Sequence, residues 1–398
     1  MKDSKAPWRR SLWAISPLVI IVLLALNPPC IYRSVGLASA QSSGTPSYKP
    51  LAGLGYSPFR DGESPNNNVF PTVSEISNDF ANVLQYMTST IRTYGVDHTL
   101  SNIPAICAAY NINCYPCAWI GGSGADISNL NTLIAIANMN YPTTVGLIVG
   151  NETMQLGYTN TAGLIGAIDY VRSGTHSNVP ITTADTWNTL LDNPEVVSDL
   201  DFIMVHVYPY WEGVSITTAA QYVLQRYNQI VASYPGKPVI IGETGWPSDG
   251  AVDGNAVPSL TNQSTFLSEF TALAAQSNAP YLYFEAFDET WKIQEGAGSV
   301  ETNWGIFYSN RTKKPGLINL LSKNLSVLSI AANPTSGVSL TVRTYEGNPY
   351  LVYGSTNLSQ GAWNGFTNFN GSAGTDRTVI VVPVLNPTGS FYKVGEMF

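Results

Sequence analysis

Two glutamates stand where apolar runs of the chain end. The run TVGLIVGNE closes on Glu152 directly behind Asn151, and KPVIIGETGW closes on Glu243 between Gly242 and a Thr-Gly-Trp turn. If both runs are strands of one parallel barrel, their C-terminal ends gather around a single mouth and the two acids converge there. Two carboxylates facing across a cleft can break a glycosidic bond. One stays protonated to donate to the leaving oxygen, and the other is ionised to attack or to activate water. Crowding and apolar walls hold one pKa up and leave the other low. A single glutamate at a strand end is more often a helix cap or a salt-bridge partner. It is the pair, each close to a glycine and ending an apolar run, that points to chemistry.

The elements that must position this pair are legible as texture. Eight short apolar runs, rich in β-branched and aromatic residues, extend from LAGLGYSPF near residue 51 to APYLYFEAFDE near residue 289. Continuous apolar runs, rather than strict alternation, are what strands buried on both faces require. Helical spacing lies between them: Ile76, Phe80, Val83, Leu84 and Met87 follow Thr72 and Glu75, a capping-box pair, and Tyr222, Val223, Tyr227, Ile230 and Val231 precede the seventh run. Phe266, Phe270 and Leu273 do the same before the eighth. Eight strands alternating with helices over about 280 residues predict a (β/α)8 barrel of class α/β, over residues 45–325. A doubly wound sheet is the alternative, but its glycine-rich phosphate loop is missing after the first run. Beyond residue 330, VSLTVRTY, YLVYGSTN, RTVIVVPV and GSFYKV are separated by Gly, Asn, Pro and Ser clusters. They predict a small all-β module over 330–398.

Composition narrows the partners. The 398 residues carry a net charge of -8, only 12% charged residues, 22 Tyr and 9 Trp. Nucleic acid is excluded as a partner because phosphates need a basic footprint. Sparse charge with many flat aromatics suits an extracellular protein that touches a neutral polymer, and a monomer is expected. Residues 1–40 read as an address: Lys2, Lys5, Arg9 and Arg10 precede the apolar SLWAISPLVIIVLLAL, and Ala38-Ser39-Ala40 forms a cleavage pattern. The stretch before that site is long for a signal peptide, so a retained membrane anchor stands as the second reading after cleaved export. Cys107, Cys114 and Cys117 form no metal-site spacing with the three scattered His residues, so one disulfide or buried thiols are expected, and neither a metal nor a cofactor.

The motifs VGNE and GETGWPS resemble the acid/base and nucleophile signatures of glycoside hydrolase family 17, the β-1,3-glucanase and glucanosyltransferase family. The resemblance continues through IRTYG, HVYPYW, FEAFDETWK and ETNWGIF, and covers roughly residues 50–320, in the bacterial and fungal style marked by PYWEG. It implies retaining chemistry, with Glu152 as acid/base and Glu243 as nucleophile, and carboxyl groups about 5–5.5 Å apart. Asn151 would bond the sugar 2-hydroxyl, and its NET sequon reads as accidental because a glycan there would block the mouth. The sequons at Asn262, Asn310, Asn324, Asn357 and Asn370 are better surface candidates.

Aromatic candidates for covering a sugar face are Tyr56, Tyr94, Trp119, Tyr208, Trp211, Trp246 and Trp304. Glu285, Glu289, Lys292 and Glu301 fall in the family's polar cluster after the eighth strand, where Lys292 would balance charge or bind hydroxyls. The expected activity is cleavage of β-1,3-glucan, with transfer to another glucan as the alternative. A β-1,4- or mixed-linkage glucanase is a further rival, because fold alone does not choose the linkage. A silent carbohydrate-binding protein ranks lowest because both glutamates are present.

Overall fold

The structure, a computed structural model, describes residues 50–124, 126–294 and 298–315, and six strands between residues 327 and 396. The expected signal or anchor over 1–40 and the sequons at Asn324 and Asn357 lie outside the described residues. The chain divides into two compact units, Ser43–Lys323 and Asn324–Phe398.

The first unit is a closed parallel barrel. Its strands are β1 (Leu54–Gly55), β2 (Thr90–Arg92), β3 in two pieces (Asn113–Tyr115 and Cys117–Ala118, broken at Pro116), β4 (Leu147–Asn151), β5 (Ile181–Thr186), β6 (Ile203–His206), β7 (Val239–Thr244) and β8 (Tyr281–Tyr283). All pairs are parallel and run in chain order around the ring, and the pairing of Leu54 with Tyr283 closes β8 onto β1. The strand is interrupted at Pro116, which has no N–H to give: the first piece pairs along β2 and the second along β4, while Cys114 of the first piece also bonds the chain leading into β4. Cys117, Ile148, Ala184, Met204 and Leu282 pack together with Phe202 into an apolar floor inside the ring, so polar side chains collect above it. Eight strands joined through helices make this a (β/α)8 barrel, as the apolar runs predicted.

The helices form for the reasons read from the sequence, with one local departure. Thr72 accepts the Glu75 amide while the Glu75 carboxylate accepts the Thr72 amide, a complete capping box for Val73–Asp79. The helical stretch then widens into a π turn over Phe80–Leu84, which keeps Phe80, Val83 and Leu84 buried together. In the helix Ile216–Ser233, Val223, Leu224 and Ile230 are buried while Val231 is exposed, so the inward stripe runs through Leu224 rather than Val231. Cys107, Cys114 and Cys117 are buried free thiols.

The second unit contains β9 (Val327–Asn333), β10 (Gly337–Arg343), β11 (Pro349–Ser355), β12 (Asn364–Asn370), β13 (Arg377–Val382) and β14 (Phe391–Glu396). They form two antiparallel three-stranded sheets, ordered β9-β10-β13 and β12-β11-β14. Val338, Leu340, Val342 and Val382 of one sheet meet Val352 of the other in a small core. Among the described residues, no helix is long and apolar enough to cross a membrane.

Candidate active site

Each central side chain leaves the C-terminal end of a barrel strand. Arg92 ends β2, Asn151 ends β4 with Glu152 immediately after it, His206 ends β6, and Glu243 is the penultimate residue of β7. One oxygen of Glu152, one of Glu243 and a ring nitrogen of His206 all lie within 4.8 Å of one another. Gly242 permits this crowding, because a Cβ there would run into Met204 and reach the His206 ring.

Glu243 is nearly enclosed. Arg92 Nη1 stands 3.0 Å from its Oε1, and the Tyr208 hydroxyl donates to its Oε2 at 2.5 Å. Arg92 has no exposed surface and also donates from Nη2 to Asn151 Oδ1 at 2.5 Å. Arg92 is therefore an ion-pair partner for Glu243 and holds Asn151 in place beside it. Glu152 is less enclosed in the cleft wall, and burial raises its carboxyl above the ordinary carboxylate range, with Arg92 and Lys292 opposing. The site therefore offers one carboxylate bound to a cation and one carboxyl pushed toward its protonated form.

His206 sits between them. Its Nδ1 lies 2.8 Å from Glu152 Oε1 and 3.4 Å from Glu243 Oε2. Arg92 Nη1, which can only donate, is 2.7 Å from His206 Nε2. The ring proton therefore belongs on Nδ1 and points at the carboxylates. Burial lowers the His206 pKa to about 3, so the ring is neutral. Two carboxylates and an imidazole have metal-ligating chemistry, but a metal needs the Nδ1 lone pair, and Nε2 would then carry a proton facing the Arg92 donor. The donor set argues against a metal ion here.

The cleft above these residues encloses about 1150 Å³ and draws on all eight strand ends. Of the aromatic candidates, Tyr56, Tyr94, Trp119, Tyr208, Trp211 and Trp304 line it. Tyr208 packs edge-on against Trp304 at 5.2 Å, and Trp211 remains 40% exposed at the rim. The Tyr56 hydroxyl is already engaged, donating to Asp79 at 3.1 Å. Glu289 and Lys292 line the cleft as an ion pair of 2.6 Å, with Ser57 and Trp291 also donating to Glu289. Burial pushes Glu289 up, but Lys292 and these donors outweigh it and its pKa ends lowered. Glu301 also borders the cleft.

Two candidates lie elsewhere. Trp246 is fully buried away from the cleft, its Nε1 donating to the Val257 carbonyl at 3.1 Å and its ring 5.8 Å from Phe266. The neighbouring Gly245 is needed for packing: a Cβ there would strike the Phe284 carbonyl, so the glycine lets two strand ends approach. Glu285 is buried behind the wall, 3.5 Å from Lys292, and burial followed by the Glu289 charge raises its pKa well above the usual range. Asn151 is buried and bonded to Arg92, so its sequon is no glycan site.

Arg92 and His206 lie in the IRTYG and HVYPYW motifs but are not among the residues the sequence singles out. The available signal was a charged or polar residue inside an otherwise apolar strand, which must find a buried partner. Trp187 was also missed. It borders the cleft, donates from Nε1 to Glu212 at 2.8 Å, and lies under the Arg226 guanidinium at 4.1 Å.

A barrel mouth holding two close carboxylates in unlike environments is the arrangement of a glycoside hydrolase. The sequence profile of the BtgE/BtgC glycoside hydrolase domain matches residues 53–305. The chain belongs to this family, within glycoside hydrolase family 17. The fold is similar to crystal structures of the family 17 β-1,3-glucanosyltransferase from Rhizomucor miehei, one of them an active-site mutant in complex with laminaritriose. Identity is 33%, TM-scores are 0.59 for the complex and 0.58 for the other, and 67% of this chain and 97% of that one are covered. A Saccharomyces cerevisiae glucan 1,3-beta-glucosidase is 26% identical, over 71% of this chain and 97% of its own length. A btgC protein of Aspergillus niger is 31% identical over 62% of this chain, but the chain spans only 40% of that relative's length.

Proposed function

We propose that this chain is a retaining enzyme that cleaves β-1,3-glucan through a glycosyl-enzyme intermediate. The observation that carries the reading is the placement of a Glu152 and a Glu243 oxygen within 4.8 Å, close together as retaining chemistry needs, rather than about 6.5–9.5 Å apart as in inverting enzymes. Glu243 attacks the anomeric carbon while Glu152 gives its proton to the departing glycosidic oxygen. The carbon–oxygen bond breaks, the shortened glucan leaves, and the sugar remains bonded to Glu243. Glu152, now ionised, takes a proton from water, whose oxygen attacks the same carbon and frees Glu243. Asn151, oriented by Arg92, meets the sugar 2-hydroxyl, a contact that strengthens as positive charge develops. Tyr208, Trp304 and Trp211 supply flat surface for sugar rings.

The linkage rests on the relatives' names and on the laminaritriose complex, not on the carboxylates themselves. Transfer to a second glucan is the alternative outcome, favoured by the glucanosyltransferase of Rhizomucor miehei and by the exposed Trp211 at the rim, where an acceptor sugar would lie. Residues 45–325 carry this chemistry, and residues 330–398 form an accessory unit. Export to the cell surface or beyond fits the N-terminal segment and the neutral polymeric substrate. A time course with a β-1,3-linked glucose oligomer, sized by mass spectrometry, tests the reading. Shorter products alone mean hydrolysis, products longer than the starting oligomer mean transfer, and an untouched oligomer removes the substrate assignment.

A further inference from the structure

The turn that carries Glu152 is held by one buried carboxylate that the cleft does not see. Asp185, in β5, is 1% exposed. Its Oδ1 accepts the Thr186 amide at 2.8 Å, while its Oδ2 faces the amides of Met154 and Gln155 at 3.3 and 3.4 Å. These are the second and third residues after Glu152. Gln155 is fixed in turn by hydroxyl donation from Thr186 and Thr189 at 2.8 and 3.0 Å. On the other side, the Glu152 amide donates to the Ala184 carbonyl at 2.7 Å. Residues 184–186 thus hold the backbone at Glu152 itself and just beyond it.

Such holding is needed because Glu152 lies at φ 50°, in the left-handed region that a non-glycine residue keeps only when its surroundings enforce it. Two turn amides without their acceptor would be left to find another partner, and the turn would relax. Burial, with the Thr186 amide opposing and the Glu152 charge adding, raises the Asp185 pKa to about 7.

We propose that Asp185 is a positioning residue for proton donation, its side chain setting the turn that aims the Glu152 carboxyl at the leaving oxygen. This rests on Glu152 being the acid/base of the reaction. A residue acting through the proton donor matters in proportion to how much the leaving group needs a proton, whereas a purely structural residue slows every substrate alike.

The test compares kcat/KM for phenyl and 2,4-dinitrophenyl β-laminaribiosides in Asp185→Ala, Asp185→Asn and Glu152→Gln, because the dinitrophenolate departs without protonation. For Asp185→Ala the phenyl substrate is expected to fall about 10- to 100-fold and the dinitrophenyl substrate less than about threefold, a fraction of the full general-acid contribution. Asp185→Asn, which keeps the volume and one acceptor, is expected to lie between Asp185→Ala and the parent. Equal losses on both substrates, or no loss, overturn the proposal. So does failure of both variants to fold by circular dichroism, which would assign Asp185 to stability. Glu152→Gln separates the two claims. If it lacks leaving-group dependence, the acid assignment itself fails. If it shows that dependence and the Asp185 variants do not, only the positioning role fails.

Discussion

His206 Nδ1 and Glu152 Oε1 lie 2.8 Å apart, and the proton between them belongs to the histidine because Arg92 occupies the other ring nitrogen. The contact supplies a neutral donor to the carboxyl that we propose cycles between acid and base. It does so without adding a charge that would fix Glu152 in one state. Burial, which lowers the His206 pKa to about 3, makes this possible.

The imidazole nitrogens of His206 are accordingly expected to show the Nδ1-protonated neutral tautomer throughout pH 5 to 8 in a nitrogen-15 NMR titration. A signal titrating near the ordinary value of 6.5 would refute this description.

On the proposed mechanism Glu152 must be protonated to donate, so kcat/KM is expected to fall as pH rises through its pKa. Because burial raises that pKa, the falling limb is expected above the ordinary value of 4.5. In Glu152→Ala this limb should vanish on an activated aryl glycoside, and added azide should restore turnover by attacking the glycosyl-enzyme without needing a base. A limb that survives the substitution would have to come from another group.

Arg92 and Glu243 form a buried pair with exposures of 0% and 4%. Arg92→Met leaves the carboxylate without its cation and is expected to destabilise the barrel by about 3–5 kcal/mol in denaturant unfolding. The double variant Arg92→Met/Glu243→Gln should recover much of that loss, since no charge is left stranded. Strict additivity would mean the pair is not coupled.

Trp246 and Trp211 separate packing from binding. Trp246→Ala empties a filled site and is expected to cost about 3–5 kcal/mol of stability. Trp211→Ala should leave the melting temperature nearly unchanged and raise KM for long glucans about fivefold, the equivalent of about 1 kcal/mol of stacking. Reversal of these effects would return Trp246 to the cleft.

The barrel was legible because its signals are local and repeated: apolar runs for strands buried on both faces, and a capping box at Thr72 and Glu75. Glu152 and Glu243 were legible because each ends such a run. Trp246 was misread because three residues beyond Glu243 the chain has already turned outward, so nearness in sequence did not become nearness in space. Arg92 and His206 escaped for the converse reason. Each meets partners on other strands, and only the closed ring brings β2 and β6 to the same carboxylate. Glu285 shared a motif with Lys292, but it lies behind the wall that Lys292 lines.

The central claim is that Glu243 becomes bonded to sugar. The most direct measurement is to incubate the protein with 2-deoxy-2-fluoro-β-laminaribiosyl fluoride, digest it, and locate the added mass by peptide sequencing. The account predicts one 2-deoxy-2-fluorolaminaribiosyl adduct on Glu243, formed with loss of the anomeric fluoride and absent in Glu243→Gln, whose turnover should drop roughly 10⁴-fold or more. An adduct on another residue, or an active enzyme that forms none and releases the α-anomer first, would contradict it.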